Sequence, residues 1–176
     1  IIDDVITCVA RKQTPVILTR FKEHAKFLHD ALKEKADHVF LLYGDNSDKE
    51  NAEIRVKLKQ IPENESFILV ATGQKIGEGF DFPRLDVLML AAPVSFEGRL
   101  EQYVGRLNRD YVGKQAVYVY DYIDSHVRYF DKMYAKRLRT YRKMGFSIWT
   151  QELQPKQIIN AIFDSVNYTE KFEQDI

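Results

Sequence analysis

Cysteine is nearly missing from this chain: Cys8 is the only one among 176 residues. No intramolecular disulfide can form, and a cysteine-based zinc site has too few ligands. Such usage suits a reducing compartment, and a cytoplasmic location is the expectation. Metal chemistry has little else to draw on. His24, His29, His38 and His126 are scattered, with no HExxH pattern, and no metal ligand is assigned. Net charge is also missing, since 26 basic residues face 26 acidic ones. Attraction to a polyanion or a membrane surface therefore has to come from local clusters. No apolar run approaches 18 residues and no signal-peptide pattern is present, so no membrane partner is expected. The phosphate-cradling pattern GxxxxGK[ST] does not occur anywhere, so the chain should not hold a nucleoside triphosphate in that manner by itself. Repeats and low-complexity runs are lacking too. The chain opens on Ile1-Ile2 rather than Met, as expected for a piece of something longer.

What is present alternates. Val16–Thr19, His38–Tyr43, Ser66–Ala71, Asp86–Ala91 and Ala116–Tyr122 read as strands. Arg20–Lys35 and Asp48–Ile61 carry helical spacing between them, the latter with Asn46, Ser47 or Asp48 as its cap. A further helix contains Gln102. Strand and helix exchanging over short connections predict an α/β fold, a mostly parallel sheet with helices on both faces. Ligands bind such sheets beyond the carboxyl ends of the strands. The stretches Thr19-Arg20, 72–81 and the loop from Pro93 into the Gln102 helix all follow strands, so all three should open onto one edge.

Two of these stretches carry chemistry. Residues 71–83 read Ala-Thr-Gly-Gln-Lys-Ile-Gly-Glu-Gly-Phe-Asp-Phe-Pro, and glycines here permit close backbone approach to a ligand. The dinucleotide fingerprint fails, because Phe82 stands where a third glycine is needed after Gly77 and Gly79. Further on, "EQYVGRLNRD" places Leu100, Tyr103, Val104 and Leu107 on one helical stripe. Arg99, Gln102, Arg106 and Arg109 fall on a second stripe away from it. Those donors are either solvated surface or a row aimed at an anion.

Taken together these stretches resemble the motifs of superfamily 2 helicases and translocases. Pro15–Thr19 with Arg20-Phe21 resembles motif IV, Thr72-x4-Gly77-x-Gly79-Phe80-Asp81 resembles motif V, and Gln102-x2-Gly105-Arg106-x2-Arg109 resembles motif VI. They occur in the family's order and span roughly residues 15–122. The run "QYVGRLNRDYVGKQAVYVYDYID" is more like the branch of restriction translocases and XPB-type repair helicases. DEAD-box proteins usually carry His-Arg-x-Gly-Arg at motif VI, whereas this chain has Gln102-Tyr103.

The resemblance implies the second of two RecA-like domains, residues 1–125, with a helical C-terminal extension over 126–176. It implies ATP with Mg²⁺ bound in a cleft against an N-terminal RecA-like domain that supplies the P-loop and the Mg²⁺ ligands. Arg106 and Arg109 would be arginine fingers, and Gln102 would contact phosphate or a linking side chain. Gly77, Gly79 and Asp81 would lie near the nucleotide. Thr19, Arg20, Thr72 and Gly73 would touch nucleic-acid phosphates, with DNA the expected strand and RNA left open. A binding module that kept the fold without catalysis is the alternative, which the intact Gly105-Arg106-x2-Arg109 pattern disfavours. A Rossmann-like small-molecule enzyme is a third reading, disfavoured by the failed fingerprint.

Other residues read as structure. Tyr118, Tyr120 and Tyr122 alternate as packing residues of a strand, and Glu78 is a loop charge. Arg128–Lys143 carries Arg128, Lys132, Lys136, Arg137, Arg139, Arg142 and Lys143 against only Asp131. Its cations are expected over more than one helix face, either solvated or set against DNA phosphates or an acidic partner. The acidic tail beyond Phe146 could be that partner, with Phe146 and Trp149 as its anchors.

Overall fold

The structure is a computed structural model that describes residues 1–73, 82–92, 97–123, 127–153 and 156–163. Five strands run parallel: β1 (Pro15–Thr19), β2 (Val39–Leu42), β3 (Ile68–Thr72), β4 (Val87–Leu90) and β5 (Val117–Ile123). Their spatial order is β2-β3-β1-β4-β5. β1, β3 and β4 sit centrally, and every residue of each is buried, which is why they read as unbroken apolar runs. β5 alternates instead. Val117, Val119, Asp121 and Ile123 are buried, while Tyr118, Tyr120 and Tyr122 are half-buried packing residues, as expected.

Helices cover both faces. On one, α1 (Ile2–Ala10) and α2 (Lys22–Lys33) set Val5, Cys8, Ala25, Leu28 and Leu32 over Ile17, Val70 and Met89. The α1 helix was not expected; its acidic first turn, Asp3 and Asp4, favours the helix N-terminus. On the other face lie α3 (Asp48–Gln60), α4 (Glu97–Leu107) and α5 (Arg128–Met144). There Leu58, Leu100, Val104, Leu107 and Tyr141 join Leu18, Leu69, Leu88 and Leu90 in one core. Of the three cap candidates for α3, Ser47 serves. Glu50 N donates to Ser47 Oγ (3.2 Å), and Ser47 N donates back to Glu50 Oε2 (2.7 Å), closing a capping box.

The basic segment is α5, and its orientation is fixed from inside. Arg137, 3% exposed, donates from Nε to Asp121 Oδ2 (2.6 Å) and from Nη2 to Oδ1 (2.9 Å). Tyr141 donates to the same carboxylate at 3.0 Å, and Asp121 is fully buried. Burial raises the Asp121 pKa, while Arg137 and Tyr141 oppose that rise. Gly145 ends the helix at φ 79°, a left-handed turn that glycine adopts without strain.

Among the described residues beyond Gly145, strands stand where a helical extension was expected. β6 (Phe146–Leu153) and β7 (Lys156–Phe163) form an antiparallel hairpin, and β7 pairs antiparallel with β5. The parallel sheet thus continues as β5-β7-β6. Phe146 anchors the turn, buried edge-on against Tyr141 at 5.8 Å between ring centroids. Trp149 does not serve as the expected anchor, since it is 44% exposed. The acidic positions from Asp164 onward lie outside the described residues.

Candidate functional site

At the carboxyl edge of the sheet, β1 and β3 end side by side, with Thr19 in register with Thr72. Both threonines are buried, at 2% and 7% exposure, and Thr19 Oγ1 shares a 3.0 Å hydrogen bond with His24 Nδ1. Burial lowers the His24 pKa. Among the described residues, exposed Arg20 and the backbone at the ends of β1 and β3 are what these two strands present to a ligand. Gly77, Glu78, Gly79 and Asp81, and the loop from Pro93, lie outside the described residues.

Gly73 follows β3 directly and is clasped by α4. Tyr103 Oη donates to the Gly73 carbonyl at 2.9 Å. A Cβ on Gly73 would sit 2.6 Å from that hydroxyl, inside contact distance. Tyr103 falls on the apolar stripe of α4 and reads from sequence as packing alone. A buried tyrosine hydroxyl needs a partner, and that was the available signal for this link. Gly73→Ala is expected to destabilise by about 1–3 kcal/mol, as overpacking does. Adding Tyr103→Phe removes the clashing atom and should recover most of that loss, although Tyr103→Phe alone costs about 1 kcal/mol. Urea melts of the four variants measure the coupling, and additive losses would show that the clasp is not the constraint.

The α4 stripe divides as expected: Leu100, Tyr103, Val104 and Leu107 are buried, Gln102 and Arg109 are exposed, and Arg106 is half-buried. The single edge was expected of the loop from Pro93 into this helix; the arginines lie further along the chain. α4 leaves the carboxyl end of β4 and returns to the amino end of β5, so its ten-residue rise of about 15 Å carries Arg106 and Arg109 toward the opposite edge. The donors therefore divide between two ends of the domain, and Tyr103 bridges toward the first.

Lys114 holds the second end together. Its Nζ donates to the Leu107 carbonyl (2.6 Å) and the Arg109 carbonyl (3.0 Å), placing a cation on the C-terminal carbonyls of α4. Burial lowers the Lys114 pKa, opposed by Asp86 and Asp110. Burial raises the Asp86 pKa, opposed by the Thr14 amide that donates to it at 2.7 Å and by Lys114. Arg109, Tyr111, Lys114 and Gln115 line a concavity of about 420 Å³ here. In it the Asn108 Oδ1 is buried with no partner among the described residues. Lys114 was not singled out from sequence, because one lysine in a polar loop carries no local pattern.

Gly105 lies between Gln102 and Arg106 with nothing within 4 Å of where a Cβ would stand. The described residues thus leave open space beside the helix, between the Gln102 amide and the Arg106 guanidinium. Among the described residues, no three His, Cys, Asp or Glu side chains group as a metal site requires. None of the described helices is long and apolar enough to cross a membrane.

A five-stranded parallel sheet covered on both faces, with an arginine-bearing helix after the fourth strand, defines a RecA-like α/β domain. Residues 1–110 match the helicase conserved C-terminal domain, and the chain belongs to that family. It is 33% identical over 99 residues to transcript termination protein A18 of Yaba-like disease virus, covering 56% of this chain and 20% of that protein. It is 32% identical over 139 residues to putative helicase 161L of Invertebrate iridescent virus 6, covering 74% of this chain and 30% of that one. The chain therefore spans only 20% and 30% of the lengths of these two relatives. Among solved structures it is similar in fold to T4 UvsW, with a TM-score of 0.62, 18% identity, and coverage of 81% of this chain and 31% of that one. The C-terminal domain of the DEAD-box protein Dbp5 gives a TM-score of 0.61 at 17% identity, covering 82% and 78%.

Proposed function

We propose that the chain is the second motor domain of an ATP-dependent nucleic-acid helicase or translocase, with residues 1–125 as the motor unit and 126–176 as its extension. One observation carries this reading. Gln102, Arg106 and Arg109 stand off the buried stripe of α4, in the spacing of motif VI, around a glycine whose outer face is open. Guanidinium and amide donors there fit the phosphate end of a nucleotide. Mg²⁺ ligands would come from an N-terminal RecA-like domain. When bound, ATP with Mg²⁺ supplies the phosphoanhydride to be cleaved.

What this chain's residues contribute is positioned charge. Phosphoryl transfer spreads negative charge over equatorial oxygens, and a planar guanidinium suits that better than an ammonium. Arg106 and Arg109 would meet that charge only when the two motor domains close, which ties hydrolysis to movement. Gln102 would orient phosphate, and Gly77, Gly79 and Asp81 would lie near the nucleotide. Thr19, Arg20, Thr72 and Gly73, at the other end of the domain, would track the strand, with DNA favoured over RNA. The Tyr103–Gly73 hydrogen bond supports communication between the two ends.

The 176-residue chain alone should release phosphate from ATP no faster than background, with or without DNA, because it holds neither a P-loop nor Mg²⁺ ligands in that pattern. The full-length protein should hydrolyse ATP and be stimulated by nucleic acid. A phosphate-release assay on both decides it. Robust turnover by the chain alone would overturn the half-motor reading.

A further inference from the structure

The cations of α5 sort into one exposed arc and one core-facing residue. Plotted at 100° per residue, Arg142, Ala135, Arg128, Arg139, Lys132, Lys143 and Lys136 fill one arc of about 120°. Six of those seven residues are cationic, and all six cations are exposed. Arg137 alone points the other way, into the Asp121 pair that fixes the rotation of the helix. Cations therefore do occupy more than one face, but only through Arg137; the other six share one exposed arc. Lys143 is tied to Glu101 of α4 at 3.0 Å. Arg128, Lys132, Lys136 and Arg139 make no ion pair with a described residue.

We infer that this stripe is a second nucleic-acid contact, a track for the phosphate backbone outside motifs IV, V and VI. The row from Arg128 to Lys143 spans about 22 Å, a length along which one strand of B-form DNA offers about six phosphates. Within the arc the only uncharged residue is Ala135. A protein partner would need an apolar centre to its interface, and the stripe has none. Phosphates need no such centre: lysine and arginine contacts position a backbone without reading bases. Because the chain's formal net charge is zero, such binding would be local rather than a bulk attraction. The identity of the polyanion rests on the motor reading above; the geometry of the stripe does not.

The test measures binding of the 176-residue chain to labelled duplex DNA of about 20 base pairs, and to single-stranded DNA and RNA of matching length, over about 50–200 mM salt. The triple variant Lys132→Gln, Lys136→Gln, Arg139→Gln should lower the log–log salt slope by roughly 2 to 2.7, and weaken low-salt binding more than about tenfold. A charge-matched control, Arg55→Gln, Lys57→Gln, Lys59→Gln on the exposed side of α3, should bind as the parent does. Comparing the three probes shows which strand form the track prefers. If the α5 variant keeps the parental slope while Arg20→Ala loses affinity, the track is overturned and the motor reading stands. If no probe binds at the lowest salt, the track is overturned, and the motor reading is left to the phosphate-release assay on the full-length protein. If the peptide of residues 164–176 binds more tightly than any oligonucleotide, the stripe serves an acidic protein segment and the inference fails.

Discussion

Alanine at Arg106 or Arg109 in the full-length protein is expected to lower ATP turnover about a thousandfold or more, the scale of an arginine that meets charge in the transition state. Nucleotide affinity should fall less, because the missing interaction strengthens as negative charge develops rather than on binding. Lysine at either position should rescue little, since the fork that matches two phosphate oxygens is lost. The fold should survive. Arg109 is exposed and Arg106 half-buried, and the buried contacts of α4 come from Leu100, Tyr103, Val104 and Leu107. Steady-state ATPase and thermal melting of the same variants separate the outcomes. Near-normal turnover in both would end the finger assignment. A collapse in melting temperature would show that the arginines hold the domain together instead.

That expectation depends on the geometry at the end of α4 as well as on the arginines. Arg109 lies past the last turn, where a chain frays unless its carbonyls are satisfied. Lys114 satisfies two of them, from Leu107 and Arg109. The segment that carries the two arginines is therefore held by its own loop, which would reduce the ordering cost of docking a second domain there.

Where the sequence was legible, one periodic signal dominated. The strands β1, β3 and β4 are buried on both faces and show as apolar runs; α2 and α4 bury one stripe and show as period 3.6. The split of Leu100, Tyr103, Val104 and Leu107 from Gln102 and Arg109 followed from that periodicity alone. Three things did not. Helix direction was not read, so no edge was assigned to Arg106 and Arg109 beyond the loop that leads into their helix. β6 lies at the sheet edge and β7 between β5 and β6, and neither was read from the sequence, because the segment after Gly145 carried no clear alternation. Arg137 could not be read as a buried cation, because its partner Asp121 is 16 residues away in a different element. Helical position sets it apart from the other six, but only the packing of α5 against β5 shows that it is the core-facing one.

Asp121→Ala should destabilise the chain by about 3–5 kcal/mol, the usual cost of stranding one member of a buried ion pair. Two groups lose their acceptor at once. The Arg137 guanidinium is left charged beneath α5, and the Tyr141 hydroxyl, whose pKa burial holds well above the ordinary value, is left without the carboxylate it donates to. Neither side chain can reach water without rotating the helix. In a domain of this size the loss corresponds to a fall in melting temperature of roughly 6–20 °C. Replacing both charges, as Asp121→Leu with Arg137→Met, should recover much of it, because two apolar residues of similar volume carry no desolvation cost. Urea denaturation of the single and double variants gives the energies. A single-variant loss below about 1 kcal/mol, the range of an exposed ion pair, would mean that Asp121 and Arg137 are solvated and that something else sets the rotation of the basic helix.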